Sequence, residues 1–427
     1  MLFAIKRALI ILCFYFAVKN EKKTNNYILP VHLIFLVLTF FYIYAIFAKI
    51  NTIFTNIPNK SLGFYKSRGG GENFREVFMY WSLLVLPFIL TISLTPLVIK
   101  ECKKYSIYDI PNKRSQHTTP IPRLGGLVFV SAAILTSLLY FFLKRQINEN
   151  RIIEFFALTS VIFVFGVLDD FLNLKAMLKF VIQIAVGLAA VFFGFKWTTF
   201  AGIALPAYIS GPLSFFIIIT LINAYNLIDG IDGLCGGLCL LYLIPVSIFS
   251  FKIDNITSIV CLMFISSILG FLVYNKPKAS IFMGDGGSQT IGFITATLPL
   301  LNFNSESCSI PLEIELLLCS LPIFDLIAAI WRRLRDHKGI FSADKMHLHH
   351  KLQNIGLTPK KSLLLLLGIQ AILDSVVLIS LSLKSGFSYI FIITGYIFMI
   401  AFFTVVHIMN RKACKNKHIP YGKSVNP

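Results

Sequence analysis

The residues best suited to chemistry fall in five short stretches of an otherwise apolar chain. Asp169 and Asp170, in VFGVLDDFLNLKAMLK, are adjacent carboxylates at the end of an apolar run. Two such charges repel, so they call for a nearby cation or a shared proton. They suit a magnesium or phosphate-chemistry site, with Lys179 available for a phosphate, or equally a solvated helix end. In LINAYNLIDGIDGLCGG, Asn223, Asn226, Asp229 and Asp232 recur at every third residue. The first three would share one face of a helix. Amides and carboxylates without a neighbouring base are hard oxygen ligands, suited to Mg²⁺ rather than zinc or copper. Polar glue between helices would be the structural alternative.

FMGDGGS places Asp285 between glycines, where it can reach a metal while backbone N–H groups hold an anionic phosphate. The long stretch WRRLRDHKGIFSADKMHLHHKLQNIG carries Arg332, Arg333 and Arg335, then His347, His349 and His350. Zinc would need a fourth ligand that the cysteines are not placed to supply. Arginine and histidine together fit a diphosphate better, through charge-assisted hydrogen bonds. Finally, YDIPNKRSQHTTPIPRLGG holds Lys113, Arg114, His117 and Arg123 in a proline-stiffened loop. It reads as an anion-binding edge, or as an attraction to anionic lipid heads.

The elements that position these residues must be membrane helices. Of the 427 residues 56% are hydrophobic and only 14% charged, against about 25% in a soluble domain. A water-soluble globule is excluded. Apolar runs near 78–99, 124–144, 152–168, 177–195, 211–228, 232–251, 257–274, 287–302, 310–332, 361–384 and 386–410 predict eleven spans in an all-α polytopic bundle. Two further runs, 2–18 and 28–50, form an N-terminal extension over 1–77, and 411–427 a basic tail. The net charge of +19 follows from the positive-inside rule rather than from a nucleic-acid surface, and no nucleic-acid partner is expected. With eleven spans, the loops on one side carry 22 Lys and Arg and those on the other carry six. The richer side is cytoplasmic, and all five polar stretches fall on it.

The motifs H-x-x-P-x-P-R-x-G-G, L-D-D, N-x-x-N-x-x-D-G-x-D-G-L, M-G-D-x-G-S and R-R-L-R…F-S-x-D-x-x-H-x-H-H occur in that order over about residues 78–384. Together they resemble the polyprenyl-phosphate N-acetylhexosamine-1-phosphate transferase family, glycosyltransferase family 4, in its WecA/TagO-like branch. The resemblance implies transfer of a sugar 1-phosphate, GlcNAc by default, from a UDP-sugar to undecaprenyl phosphate with release of UMP. Such a reaction starts a lipid-linked envelope glycan of the O-antigen, enterobacterial-antigen or teichoic-acid type at a bacterial inner membrane. The resemblance further implies that Asn226 and Asp285 bind Mg²⁺, with Mn²⁺ as a substitute, and that Asp169 and Asp170 sit at the catalytic centre. Lys179 would meet the lipid phosphate. Asn223, Asp229 and Asp232 would contact the nucleotide-sugar or the metal's outer shell, and Arg333, His347, His349 and His350 the diphosphate or sugar. The cationic edge of Arg114, His117 and Arg123 belongs with them, and a homodimer is compatible with the family. Residues 1–77 have no counterpart in it.

A cation-coupled transporter would instead place acids near span centres and show an internal repeat. Here Asp325 and Asp374 lie within spans, but most acids sit at span ends and no repeat is present. An inactive scaffold would tolerate the loss of a motif residue, and none is missing.

Overall fold

A chain in lipid must satisfy its backbone N–H and C=O groups internally, so apolar runs of this length become helices. They do so in the computed structural model of the chain, which describes residues 74–111, 119–144, 150–251, 255–301, 310–339, 342, 346–383 and 385–416. The upstream runs at 2–18 and 28–50, and with them Lys113, Arg114 and His117, lie outside the described residues. The chain divides into two units, Met1–Glu76 and Val77–Pro427.

Among the described residues there are thirteen α-helices: α1 (Phe74–Lys104), α2 (Gly125–Leu143), α3 (Asn150–Leu172), α4 (Ala176–Phe192), α5 (Ala207–Ile228), α6 (Leu234–Phe251), α7 (Asn255–Asn275), α8 (Gly284–Thr297), α9 (Leu312–Leu318), α10 (Ser320–Arg335), α11 (Leu348–Asn354), α12 (Pro359–Ser382) and α13 (Ser385–Asn416). A 3-10 turn at Leu298–Leu300 follows α8, and two short antiparallel pairs join Tyr108–Asp109 with Ile121–Pro122 and Thr199–Phe200 with Ile203–Ala204. Among the described residues eight of these helices are long and apolar enough to cross a membrane. α4, at 17 residues, and α8, at 14, are shorter than the spans expected there. α13, with 32 residues, is about 48 Å long and outruns a hydrocarbon core of about 30 Å, continuing through residue 410 to Asn416.

The run at 310–332 is not one continuous helix. α9 and α10 meet at a bend of 78° at Cys319. The cause is Pro322, which has no N–H to donate to the Leu318 carbonyl one turn back. Gln370 of α12 supplies the missing donor, its Nε2 lying 2.8 Å from the Leu318 oxygen, and also donates to Asp374 at 2.7 Å. Asp374 therefore has a structural partner inside the bundle.

α8 is the hub, packed against α2, α3 and α5. It comes this close because the contacts are glycine on backbone. A Cβ on Gly126 would collide with the Gly287 backbone, and one on Gly166 would stand 2.6 Å from the Cα of Gly286. Dispersion contacts between backbones replace the hydrophobic drive that lipid does not provide. The strand before α2 is zipped to the approach of α8: Phe282 N–H donates to Pro122 O at 2.7 Å, and Gly125 and Gly126 donate to the carbonyls of Phe282 and Met283 at 2.8 and 2.7 Å. These contacts gather the C-terminal ends of α3 and α5 and the N-terminal ends of α4 and α8 at one end of the bundle.

Candidate active site

Asp169 and Asp170 close α3, and the two carboxylates face different work. Asp169 forms an ion pair with Lys179 of α4 and accepts the Leu174 N–H at 2.6 Å. Asp170 turns to the start of α8, where Oδ1 accepts from Asp285 N–H at 2.8 Å and Oδ2 from Gly286 N–H at 3.0 Å. Those N–H groups belong to the first turn of a helix, which lacks internal acceptors and carries partial positive charge. The expectation that the glycine-rich backbone holds a phosphate is thus corrected: the anion seated there is Asp170. Gly284, at φ +74°, makes the turn that brings this backbone against Asp170, and an added Cβ would lie 2.5 Å from the Asp170 carboxylate.

Asp285 is the centre of the network. Its Oδ2 receives Lys179 Nζ at 2.9 Å and Gln289 Nε2 at 3.0 Å, and Asn226 Nδ2 lies 3.3 Å from Oδ1. Lys179 therefore stands between two carboxylates contributed by α3 and α8. Asn226 also donates to Ser288 Oγ at 3.0 Å. Asn223, one turn earlier on α5, donates to Gln183 at 2.8 Å, and Gln183 donates to Gln289 at 3.1 Å. Gln183, Ser288 and Gln289 were not among the residues expected from sequence. The signal was present: Gln183 follows Lys179 and Gln289 follows Asp285 by four residues, which puts each pair on one helix face.

Of the remaining expected residues, Asp229 caps the C-terminal end of α5, one turn beyond Asn226. Burial, with the charges of Asp285 and Asp232 nearby, raises its pKa to about 7. Asp232 leaves the helical face and accepts the N–H groups of Lys278 and Ala279 at 3.1 and 3.0 Å, tying down the loop that leads to α8. Arg123 binds the Asp170 carbonyl and donates to Asn173 at 2.8 Å, so it satisfies the C-terminal end of α3. Arg333 is buried in the last turn of α10.

The three histidines form a stack at the start of α11. The rings of His347 and His349 lie 6.0 Å apart and nearly parallel, and His349 and His350 lie 4.1 Å apart. His349 packs directly on Gly230, between Asp229 and Asp232: a Cβ there would lie 2.6 Å from its Nε2. Burial and the neighbouring His350 hold the His349 pKa well below the ordinary value, so the ring is neutral near pH 7. The histidine stretch and the Asp229–Asp232 turn, far apart in sequence, are thus one surface. Asp325 of α10 joins them, accepting from His347 Nδ1 at 2.9 Å and from Leu348 N–H at 2.9 Å.

The family described as "Glycosyl transferase family 4" matches residues 152–302, which hold Asp169, Lys179, Asn226 and Asp285. A Bacillus subtilis (strain 168) protein named "Probable undecaprenyl-phosphate N-acetylglucosaminyl 1-phosphate transferase" is 32% identical, over 77% of this chain and 92% of its own length. An Escherichia coli (strain K12) "Undecaprenyl-phosphate alpha-N-acetylglucosaminyl 1-phosphate transferase" is 29% identical over 65% of this chain and 77% of its own. A Mycobacterium leprae (strain TN) "Decaprenyl-phosphate N-acetylglucosaminephosphotransferase" is 30% identical over 65% and 78%. By these relationships the chain belongs to glycosyl transferase family 4 and is a multi-pass membrane transferase.

Proposed function

We propose that the chain transfers N-acetylglucosamine 1-phosphate from UDP-N-acetylglucosamine to undecaprenyl phosphate, releasing UMP, at the cytoplasmic face of a bacterial inner membrane. The product would be the first lipid-linked intermediate of an envelope glycan. The observation that carries this reading is the Asp169–Lys179–Asp285–Asn226 cluster at the helix ends of a chain whose relatives are named for this reaction. The excess of Lys and Arg on the same side supports a cytoplasmic site.

Joining a phosphate monoester to a nucleotide diphosphate brings two anions together, so their repulsion must be offset where they meet. Lys179 is the cation of this chain placed to do so, and it meets the lipid phosphate. The attacking group is a phosphate oxygen whose second pKa is about 6, so Asp169, beside Lys179, needs to remove a proton from only part of the incoming lipid. Positioning supplies most of the rate. Asp170 acts through Asp285, whose backbone it fixes. The histidine stack and the Asp229–Asp232 turn receive the nucleotide-sugar diphosphate.

Among the described residues no group of three or more His, Cys, Asp or Glu is arranged as a metal site. The cluster nonetheless fits a divalent ion: a cation already bridges its two carboxylates, whose hard oxygens Mg²⁺ prefers, and the Asn226 side-chain amide lies beside Asp285. Asp285 and Asn226 would hold Mg²⁺ or Mn²⁺, which supplies further charge offset at the diphosphate.

Purified protein offered undecaprenyl phosphate and a panel of UDP-2-acetamido sugars should yield a lipid-diphosphate sugar by mass spectrometry, most rapidly with UDP-GlcNAc. Absence of any lipid-linked product across the panel would refute the reading. Residues 1–77 are proposed to be dispensable, because every motif lies beyond Tyr108, in the part of the chain that resembles the family. Deleting residues 1–78 should leave transferase activity in membranes within about two-fold, as expected of a change remote from any named mechanism of destabilisation. Loss of activity with normal insertion would show that the extension is required.

A further inference from the structure

The short helix that carries the histidines is held at both ends by buried polar pairs. At its C-terminal end Asn354 Nδ2 donates to Asn410 Oδ1 of α13 at 3.0 Å, and Cys414 lies 3.8 Å from the same oxygen. At its N-terminal end the grip is Asp325, 1% exposed, which accepts from His347 Nδ1 and from the backbone N–H of Leu348. A buried carboxylate with both oxygens committed to one segment fixes that segment's position and angle. An ionised carboxylate only accepts, so Nδ1 of His347 carries the hydrogen, and the ring is fixed in tautomer as well as direction.

The fixed ring is the first of the stack. His349 lies nearly parallel to it at 6.0 Å and also meets Gly230 of the Asp229–Asp232 turn. The Nδ1 of His349 is buried without a hydrogen-bond partner among the described residues. Ring packing rather than a polar contact at that atom therefore holds His349, and its location depends on what positions its neighbours.

We propose that Asp325 is a positioning residue of the transferase: it orients His347 and the start of α11, and through them sets the place of His349 against Gly230, where the nucleotide-sugar diphosphate is received. This rests on the phosphotransferase reading above. Asp325 touches no reacting atom and acts only through the histidine stack.

The test is a double-variant cycle on the full-length protein in detergent, with kcat and the KM for UDP-GlcNAc and for undecaprenyl phosphate measured separately on monodisperse material. Asp325→Asn preserves shape and still accepts from Leu348 N–H, but offers His347 an amide donor in place of the carboxylate. It should lower kcat about 100-fold, the scale of a misplaced catalytic group, with KM for undecaprenyl phosphate unchanged. In a His347→Ala background the same change should cost less than about two-fold, because the residue through which it acts is gone. Gly230→Ala, whose Cβ would displace the His349 ring directly, should resemble Asp325→Asn. Should the amide variant fail to purify as one species, Asp325→Glu serves in the same cycle, keeping the charge but moving the ring by one methylene.

Independent, multiplicative losses from Asp325→Asn and His347→Ala would overturn the proposal and leave Asp325 a packing residue. A fully active His347→Ala would overturn it as well. Neither result touches the reaction class, which is read from the products of the wild-type protein.

Discussion

Replacing Asp285 by asparagine should lower turnover by at least about 10³-fold, the upper range for loss of one preorganised electrostatic contact, while the protein still folds. The substitution keeps shape and removes one negative charge from the point where Lys179, Asn226 and Gln289 converge. Folding should survive because the contact that anchors the start of α8 uses the backbone of residue 285: its N–H donates to Asp170 whichever side chain is present. Turnover measured at saturating Mg²⁺ and UDP-GlcNAc, with elution profile and melting temperature as controls, decides the matter. Near-wild-type turnover would show that Asp285 is not at the reacting centre.

Lys179→Met should be nearly as damaging, by about 10²- to 10³-fold in turnover, and it should also change how the protein responds to divalent ions. Methionine fills similar volume but leaves the Asp169 and Asp285 carboxylates without the cation between them. Like charges in such a site do not both remain ionised without a counter-ion. A divalent ion that binds only the folded protein stabilises it by mass action, and a vacated pair of carboxylates binds it more tightly. Mg²⁺ should therefore raise the melting temperature of Lys179→Met by more than that of the wild type. An equal rise in both proteins would place the ion away from this pair.

Much of this site was legible in the sequence because its residues are polar intruders in apolar runs. Asp169, Lys179, Asn226 and Asp285 could each be singled out, and span parity put them on one membrane face. What each carboxylate does was not legible. Asp170 differs from Asp169 by one position, yet its partners are backbone N–H groups of residues 285 and 286, fixed by the close approach of α3 to α8 across Gly166 and Gly286. Asp232 continues the three-residue spacing of Asn223, Asn226 and Asp229, but α5 ends at Ile228, so the spacing no longer defines a face. The spacing rule failed where the helix did.

The fold shows the same division. Apolar runs located the helices, since hydropathy alone dictates burial in lipid. The break at Cys319 had a local signal in Pro322, but the stabilising donor, Gln370, comes from α12 and could not be paired with it in advance. Asp325 looked like an isolated acid within a span, the mark of an ion path. Its partners His347 and Leu348 lie in the following stretch, and only the folded chain brings them within 2.9 Å.

The nucleotide released by the wild-type protein tests the central claim most directly. Attack of a lipid phosphate oxygen on the sugar-bearing phosphorus forms a new P–O–P link and breaks the bond to the departing nucleotide phosphate. One phosphate thus stays with the sugar, and UMP leaves. One phosphoanhydride is exchanged for another, so added UMP should drive the lipid product back to UDP-sugar. Chromatography of the spent nucleotide should show UMP in a one-to-one ratio with a lipid that carries a diphosphate. Stoichiometric UDP, with a lipid that carries a single phosphate between chain and sugar, would mean attack at the anomeric carbon and would contradict the account.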